Sequence, residues 1–258
     1  MKKIVMKKIA LLISLILSSL TLASIAREIP VVPPAQAGLS DARLAEVDQF
    51  MDRQVADQKI SGGIVIVSRA GKIGFFHTYG LMDREARKAM APDTIFRIYS
   101  MSKAITTAAA LNLCDSGKIG LDDPVSKYIP SFANLTVATT NGLRPPTRPV
   151  TVRDLMLHIS GLTYGGIASW ATNFPDPVKE GFSRLKPMDS TDLAEMAEKL
   201  SHVPLAFDPE TDWAYGVGID VLGRVIEVAS GQSLDVFLDR TIFKPLEMRD
   251  TGFSVPPE

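Results

Sequence analysis

The pattern that most constrains the fold is the scarcity of strand-like sequence in a chain rich in helical periodicity. Residues 64–67 and 73–79 are runs of β-branched and aromatic residues, and they flank the turn-forming residues 70–72, so they predict one hairpin. Two strands alone are rarely a stable sheet. The sequence therefore predicts a mixed α/β (α+β) fold whose sheet is either under-recognised or completed by residues that the chain lacks.

Helical spacing of apolar residues recurs along the chain, with capping residues at several ends. The predicted helices follow Ser40 up to the stop at residues 61–63, and then cover residues 104–114, 152–158, 191–200, 219–229 and 233–243. Gly, Pro and polar residues predict irregular structure at residues 80–93, 136–149 and 165–190. The pattern thus favours helices over strands in the larger part of the chain.

Composition excludes several classes of protein. Of 258 residues, 46% are hydrophobic and 22% charged, which is typical of a globular protein and not of a disordered chain. The 28 basic residues are matched by 29 acidic ones, so the basic excess typical of nucleic-acid-binding proteins is missing. The single cysteine, Cys114, excludes an intramolecular disulfide and a cysteine-based zinc site.

The first 26 residues have the pattern of a secretory signal peptide. Four lysines precede an apolar run from residue 9 to residue 26, and small residues offer cleavage sites after Ala26 or after Ala37. The alternative is a retained anchor helix, for which an 18-residue run interrupted by serines is marginal in length. We therefore expect a periplasmic or secreted protein that meets a membrane only through an uncleaved signal segment.

The histidines do not point to a familiar catalytic or metal motif. The chain has three, His77, His158 and His202, and it contains neither Gly-x-Ser-x-Gly nor His-Glu-x-x-His. A Ser-His-Asp enzyme would have to use His158, which stands at the end of a predicted helix. A lysine is the alternative base for a serine nucleophile.

Ser-x-x-Lys occurs twice, at Ser100–Lys103 and at Ser183–Lys186. Random placement of the serines and lysines gives about one such match, so the tetrapeptide alone carries little weight. Ser183 lies in a predicted loop, whereas Ser100 lies where an extended segment meets an Ala-rich helix. That placement puts residues 100 and 103 on one helix face, offers free backbone N–H groups to an oxyanion, and surrounds the lysine with apolar residues that would lower its pKa.

The tetrapeptide alone is equally consistent with a purely structural role for Ser100 and Lys103. Serine is a common N-cap, and Lys103 could be a solvated helix residue. The wider context separates the two readings. Residues 94–103 (TIFRIYSMSK), 117–130, 151–162 and 213–227 resemble, in this order, four blocks of the serine β-lactamase and penicillin-binding superfamily. The resemblance runs from about residue 60 to the end of the chain, and is strongest to the class C-like branch with family VIII carboxylesterases and D-Ala-D-Ala carboxypeptidases.

The resemblance implies a role for each matching residue. Ser100 would be the nucleophile, Lys103 its base or proton relay, and Tyr215 the tyrosine of the family's Tyr-x-Asn motif. Whether Lys103 or Tyr215 is the working base stays open. Tyr164 and Trp170 are candidates to line an acyl pocket, but packing accounts for them equally well, and His158 belongs to a helix-end block that is not catalytic in the family.

Two departures from the family pattern refine the expectation. Val217 stands at the position of the motif asparagine, where it would face substrate but could not hydrogen-bond an amide, and this favours an ester over a β-lactam. The third motif, Lys/His/Trp-x-Gly on a sheet strand, is missing, and with it the second oxyanion N–H. We therefore expect a truncated or fragmentary sequence, with further strands following in the complete fold.

The domain expectation follows from the resemblance. It comprises the signal peptide at 1–26 (or to 37), the first part of a β-lactamase-like α/β domain at 38–95, a mainly helical domain with the nucleophile helix at 96–204, and the second-motif loop with two helices at 205–258. Ser100 would lie at a helix N-terminus between the sheet domain and the helical domain.

The expected function is an exported serine hydrolase that forms an acyl-enzyme on Ser100 with a small-molecule ester, a β-lactam or a peptidoglycan-type amide, without cofactor or metal. The alternative is a truncated non-catalytic homologue, or a penicillin- or peptidoglycan-binding protein without turnover. No nucleic-acid partner is expected, and the pattern leaves the oligomeric state open.

Overall fold

The computed structural model describes residues 29–165 and 174–255. The predicted signal segment and Trp170 lie outside these ranges. The chain divides into two compact units, with the boundary between Phe96 and Arg97. The second unit contains both the region predicted to be helical and the segment predicted at 205–258.

The first unit is a helix and a three-stranded antiparallel sheet. Helix α1 (Asp41–Ala56) starts after Ser40, whose hydroxyl accepts a hydrogen bond from the Arg43 N–H. The strands, in sheet order β1-β2-β3, are β1 (Gly62–Arg69), β2 (Lys72–Asp83) and β3 (Lys88–Ala89).

The predicted hairpin is confirmed by the pairing of β1 with β2. Its turn has left-handed backbone at Ala70 and Gly71. Two expectations for this region were wrong. Helix α1 ends at Ala56, so the glycines at 62 and 63 begin a strand and do not terminate the helix. Residues 80–93 are only partly irregular, because β2 continues to Asp83 and pairs with β3.

The second unit is mostly helical. Its α-helices are α2 (Ser102–Asp115), α3 (Val152–Leu157), α4 (Asp176–Leu185), α5 (Leu193–Ser201), α6 (Gly218–Ser230) and α7 (Leu234–Leu238). A π-helical turn, Asp239–Phe243, continues α7. Among the described residues, no helix combines the length and the apolar character needed to cross a bilayer.

Helix α6 lies at the centre of this unit. Its buried face carries Val221, Leu222, Val225 and Ile226, which are at most 1% exposed. The four residues follow the i, i+1, i+4, i+5 spacing of a single apolar stripe. That stripe packs against α2, α3 and α5. The packing fixes the starts of α2 and α6, and these two regions carry Ser100, Lys103 and Tyr215.

The loop predicted at residues 136–149 needs correction. Residues 136–149, predicted to be a loop, form a second hairpin of β4 (Val137–Thr139) and β5 (Gly142–Arg144). Val137 and Ala138 are buried, so the hairpin packs on the helical core. The short strands contain too few residues for alternation to be visible in the sequence.

Helix α4 also falls in a region predicted to be a loop. Pro175 is its N-cap and Pro177 lies in its first turn, where a missing N–H leaves no intrahelical bond unmade. Val178 and Phe182, spaced i and i+4, are both 1% exposed and hold the helix against the core. The prolines taken to signal a loop therefore mark the start of a helix.

Candidate active site

Ser100 lies in a short 3-10 turn, Tyr99–Met101, directly before helix α2. The turn begins with left-handed backbone at Tyr99, whose φ is 44°. Ser100 is exposed, whereas Lys103, in the first turn of α2, is half-buried. The Lys103 Nζ donates a hydrogen bond to the Ser100 Oγ at 3.3 Å, so the predicted i, i+3 contact is present.

The second Ser-x-x-Lys has a different structure. Ser183 is an exposed residue near the end of α4, and Lys186 follows the helix with a φ of 47°. Within the described residues no hydrogen bond joins their side chains. The structure thus distinguishes two tetrapeptides that the sequence could separate only by context.

Two tyrosines complete the surroundings of Lys103. Its Nζ donates to the Tyr164 hydroxyl at 3.4 Å and lies 4.7 Å from the centre of the Tyr215 ring. The two tyrosine rings are 6.0 Å apart, centre to centre. Hydrogen bonds also link Tyr215 with Lys103 and Ser100. The arrangement thus places the Lys103 ammonium group beside the hydroxyls of Ser100 and Tyr164 and over the ring of Tyr215.

The charges in this cluster differ from the sequence-based expectation. Burial lowers the pKa of Lys103, but its hydrogen bond to Tyr215 and the charge of Tyr164 raise it, and the pKa lies above the ordinary value for lysine. Apolar neighbours were expected to leave the amine neutral, and this was wrong because two hydroxyls oppose the effect of burial. Lys103 is therefore an ammonium group at neutral pH.

The pKa of Tyr215 is shifted in the opposite direction to that of Lys103. Burial raises the pKa of Tyr215, but hydrogen bonds to Lys103 and Ser100 and the positive charge of Lys103 lower it, and the net pKa lies below the ordinary value. Burial raises the pKa of Tyr164 above its usual range. Of the two phenols, Tyr215 is thus the one that ionises more easily.

One carboxyl group interacts electrostatically with the cluster. Asp220, in the first turn of α6, is half-buried, and burial raises its pKa against the opposing charge of Lys103. Its negative charge also acts to raise the pKa of both Tyr164 and Tyr215. In residues 29–165 and 174–255 no three His, Cys, Asp or Glu side chains come close enough together to hold a metal ion.

The segment that carries Tyr215 has little freedom to move. A Cβ at Gly216 would lie 2.4 Å from the Leu162 carbonyl oxygen and 2.6 Å from the Thr163 Cα, so only glycine fits this close approach. The Gly216 N–H donates to the His158 Nδ1 at 3.4 Å. The backbone on either side of the tyrosine is therefore held by residues 158–163.

Val217 does not occupy the position expected of it. Its side chain is completely buried in the hydrophobic core, and the residue is the N-cap of α6. A side chain without exposed surface cannot touch a substrate, so the expectation of a substrate contact at position 217 is corrected. An asparagine there would have to leave the core or be buried with its amide.

The structure brings Ser100, Lys103 and Tyr215 together, as the sequence pattern predicted. It adds Tyr164, which the sequence left among aromatic residues explained by packing. The contact spans 61 residues of chain, so no local spacing could have revealed it. The only available signal was a tyrosine in a glycine-rich loop that follows a recognised block.

Comparisons with known proteins identify the family of this chain. Residues 47–258 match the Beta-lactamase family model. The chain is 36% identical over 229 residues to Esterase EstB of Burkholderia gladioli, covering 87% of this chain and 56% of the esterase. It is 32% identical over 221 residues to the Lovastatin esterase of Penicillium rubens, covering 80% of this chain and 52% of that enzyme.

A solved structure is similar over the same span. The chain superposes on EstCE1, described as a hydrolase with promiscuous acyltransferase activity, with a TM-score of 0.70 and 32% identity, covering 83% of this chain and 54% of that one. The chain therefore spans about half the length of the curated relatives that it matches. Because the family model covers most of the sequence and the mixed α/β architecture agrees, this chain belongs to the beta-lactamase family.

Proposed function

We propose that this chain carries the nucleophile and base of a serine hydrolase that cleaves small-molecule esters through an acyl-enzyme on Ser100. The observation that carries the proposal is the cluster around Lys103, in which one ammonium group contacts Ser100 and the two tyrosines. An ester is favoured because EstB and the Lovastatin esterase are named as esterases and EstCE1 as a hydrolase.

The charges assign the roles in the first step. A tyrosinate at Tyr215 accepts the proton of the Ser100 hydroxyl while the Oγ attacks the ester carbonyl carbon. Lys103 stays protonated and stabilises the negative charge on Tyr215. Between the two bases that the sequence left open, we propose Tyr215, which the directions of the two pKa shifts support.

The same groups serve the remaining steps. As the tetrahedral intermediate collapses, Tyr215 returns the proton to the departing alkoxide, so the alcohol leaves neutral and the acyl group stays on Ser100. A water molecule then gives its proton to Tyr215 as it attacks the acyl carbon, and the carboxylic acid leaves as the Ser100 Oγ regains that proton. At the end of the cycle Ser100, Lys103 and Tyr215 have regained the protonation states with which they began.

Covalent labelling tests this proposal most directly. The purified chain is exposed to a fluorophosphonate and, separately, to benzylpenicillin, and adducts are located by intact mass and peptide mapping. We expect the fluorophosphonate to label Ser100 and the label to disappear in Ser100→Ala. Ser183→Ala is the matched control, because it removes the serine of the other Ser-x-x-Lys and should leave labelling unchanged.

The outcome decides between the two readings of the sequence. A folded chain that takes no adduct from either probe would contradict the active-enzyme proposal and support a non-catalytic relative. Efficient labelling of Ser100 by benzylpenicillin alone would contradict the preference for esters and favour a penicillin-binding role.

We also propose that the chain is exported, on the basis of the lysine-rich start and apolar run of residues 1–26. The N-terminal mass of the chain recovered from outside the cytoplasm tests this. We expect the mass of a chain that begins after Ala26 or after Ala37. The mass of the unprocessed chain would contradict cleavage.

A further inference from the structure

His158 directly follows α3 and has an unusual backbone conformation. Helix α3 ends at Leu157, and His158 continues the chain with φ 59° and ψ 32°, in the left-handed region. Glycine and asparagine adopt this conformation more readily than histidine does. This conformation is uncommon for a non-glycine residue.

Its contacts lie on both sides of Tyr215. The His158 carbonyl oxygen accepts a hydrogen bond from the Ala214 N–H at 3.0 Å, and its Nδ1 accepts one from the Gly216 N–H at 3.4 Å. The imidazole ring also lies against the tyrosine itself, with the ring centres 4.7 Å apart and the planes tilted by 41°. His158 thus holds the residue before Tyr215, the residue after it, and its ring.

The hydrogen bond to Gly216 defines the state of the imidazole. Since Nδ1 accepts a hydrogen bond from the Gly216 N–H, the ring proton of the neutral form is on Nε2. Burial and then the positive charge of Lys103 lower the pKa of His158 below its ordinary value. The ring is therefore neutral at pH 7, which is the state that this contact requires.

We propose that His158 is a positioning residue for Tyr215. The imidazole ring and the backbone carbonyl of His158 fix residues 214–216, so that the phenol stays within reach of Ser100 and Lys103. The proposal rests on the proposed function only in that Tyr215 is given the role of base. His158 itself does not touch the nucleophile.

A helix-ending role alone does not account for these contacts. The left-handed turn and the bond from Ala214 involve only the backbone of residue 158, and glycine would provide both. The bond from Gly216 and the ring contact with Tyr215 require the side chain. These two features are the ones that a variant can remove while the end of the helix is kept.

Two substitutions separate the roles of backbone and side chain. His158→Gly keeps a residue suited to left-handed backbone and removes the ring. His158→Asn also tolerates this conformation and keeps an acceptor, Oδ1, for the Gly216 N–H. With p-nitrophenyl butyrate as substrate, we expect His158→Gly to lower kcat by about 10- to 100-fold with KM changed by less than about twofold, since misplacement of a reacting group by an ångström costs this much. His158→Asn should recover most of the rate.

A second readout does not depend on turnover. The ionisation of Tyr215 is followed by phenolate absorbance, and each trace is corrected with the matching variant that also carries Tyr215→Phe. The pKa of Tyr215 should lie below 10 in the wild-type chain and in His158→Asn. It should move back toward 10 in His158→Gly, because a displaced phenol loses its bonds to Lys103 and Ser100.

The pH dependence provides a further check on the side chain. Lys103 is the charged group that acts on the imidazole, and Tyr215 is the titratable ring in contact with it, while Trp213 is an uncharged neighbour at 6.2 Å. At acid pH a protonated His158 can no longer accept from Gly216. We expect kcat to fall more steeply with decreasing pH in the wild type than in His158→Asn.

The possible outcomes are distinct. If the pKa of Tyr215 in His158→Gly equals that in the wild type, the proposal is overturned, even if kcat falls. If melting temperature falls in both variants while the Tyr215 titration is unchanged, His158 is only a structural cap. If the wild-type chain hydrolyses no ester, the proposed function fails, but the Tyr215 titration still decides on the positioning role.

Discussion

Lys103 donates hydrogen bonds to Ser100 and Tyr164 and lies over the ring of Tyr215, and this makes Tyr164 part of the charge balance of the site. A hydrogen bond to a charged group contributes about 1.5–3 kcal/mol when it cannot be replaced by water. The half-buried position of Lys103 limits that replacement. Tyr164 therefore affects how firmly the ammonium group is held next to Ser100.

Tyr164→Phe tests this contribution. The substitution keeps the ring and removes the hydroxyl that accepts from Lys103, so we expect kcat for p-nitrophenyl butyrate to fall about tenfold with little change in melting temperature. Tyr128→Phe is the control, because it also removes a hydrogen-bonded tyrosine hydroxyl, but one bonded to Asp123 and not to the Lys103 cluster. Equal activity in the two variants would contradict a role for Tyr164.

Gly216→Ala tests the close approach of the tyrosine segment to residues 162 and 163. Because the added Cβ would meet backbone atoms at 2.4 and 2.6 Å, we expect a loss of about 1–3 kcal/mol in the free energy of unfolding and a strong loss of esterase rate.

The control is Gly181→Ala in α4, where the nearest atom would be 3.4 Å away. A helical interior favours alanine over glycine by up to about 1 kcal/mol, so this variant should be as stable as the wild type or more so. Urea unfolding measures both variants, and equal stability of Gly216→Ala and wild type would show that the segment can shift.

At the scale of single elements, the start of α3 is the most strongly bonded helix end near the site. Thr151 and Asp154 form a capping box, and Asp154, only 2% exposed, also binds Arg148 through both guanidinium nitrogens at 2.6 and 2.9 Å. Helix α3 leads directly into His158. The stability of this cap therefore bears on the position of Tyr215.

Asp154→Asn should lower the free energy of unfolding by about 3 kcal/mol, since it leaves Arg148 without its buried partner. Asp122→Asn is a matched control, because Asp122 also forms a two-pronged pair, with Arg153, but on the exposed surface. Exposed pairs contribute little, so this variant should unfold like the wild type. If urea unfolding gives the two variants comparable losses in the free energy of unfolding, the larger contribution of Asp154 cannot be attributed to burial of its ion pair.

Long, strongly patterned elements could be predicted from the sequence. Helices α2, α3 and α6 and the first hairpin lie within a few residues of their predicted bounds because apolar spacing persists over several turns or strand residues. Helix α4 and the hairpin β4–β5 could not be predicted. Prolines conceal the start of the helix, and three-residue strands depend on packing rather than on pattern.

The candidate site shows the same limit. Ser100 and Lys103 are one helical turn apart, and the motif around Tyr215 is local. All three residues could therefore be identified from the sequence. Tyr164 depends on a contact across 61 residues, and the buried state of Val217 depends on how α6 packs. The charge of Lys103 likewise follows from two distant hydroxyls, which composition around residue 103 does not show.

At the scale of the whole molecule, several carboxylates bonded in the folded state set the response to acid. The hydrogen bond from Arg144 lowers the pKa of Asp208 to about 2, Lys127 does the same for Asp123, and Lys199 for Glu195. A folded-state pKa below the unfolded value means that stability is present above the unfolded value of about 4 and is lost as the pH falls towards 2.

We therefore expect these three carboxylates to make the free energy of unfolding, measured with urea, fall steadily as the pH drops from about 4 to 2. Asp208→Asn should be less stable than the wild type at pH 6 and should lose less stability on acidification, because it removes one carboxyl group whose pKa is lowered in the folded state. A stability that is unchanged down to pH 2 would contradict these assignments.

The left-handed backbone at Tyr99 has a consequence for anyone who engineers this chain for heat resistance. A non-glycine residue held in that region costs about 1–3 kcal/mol, so position 99 is an obvious choice for a relaxing glycine or asparagine. The same backbone conformation places the neighbouring Ser100 directly before the N-terminus of α2. We expect a gain in thermal stability at this position to be accompanied by a loss of turnover, so stabilising substitutions should leave the turn of residues 99–101 intact.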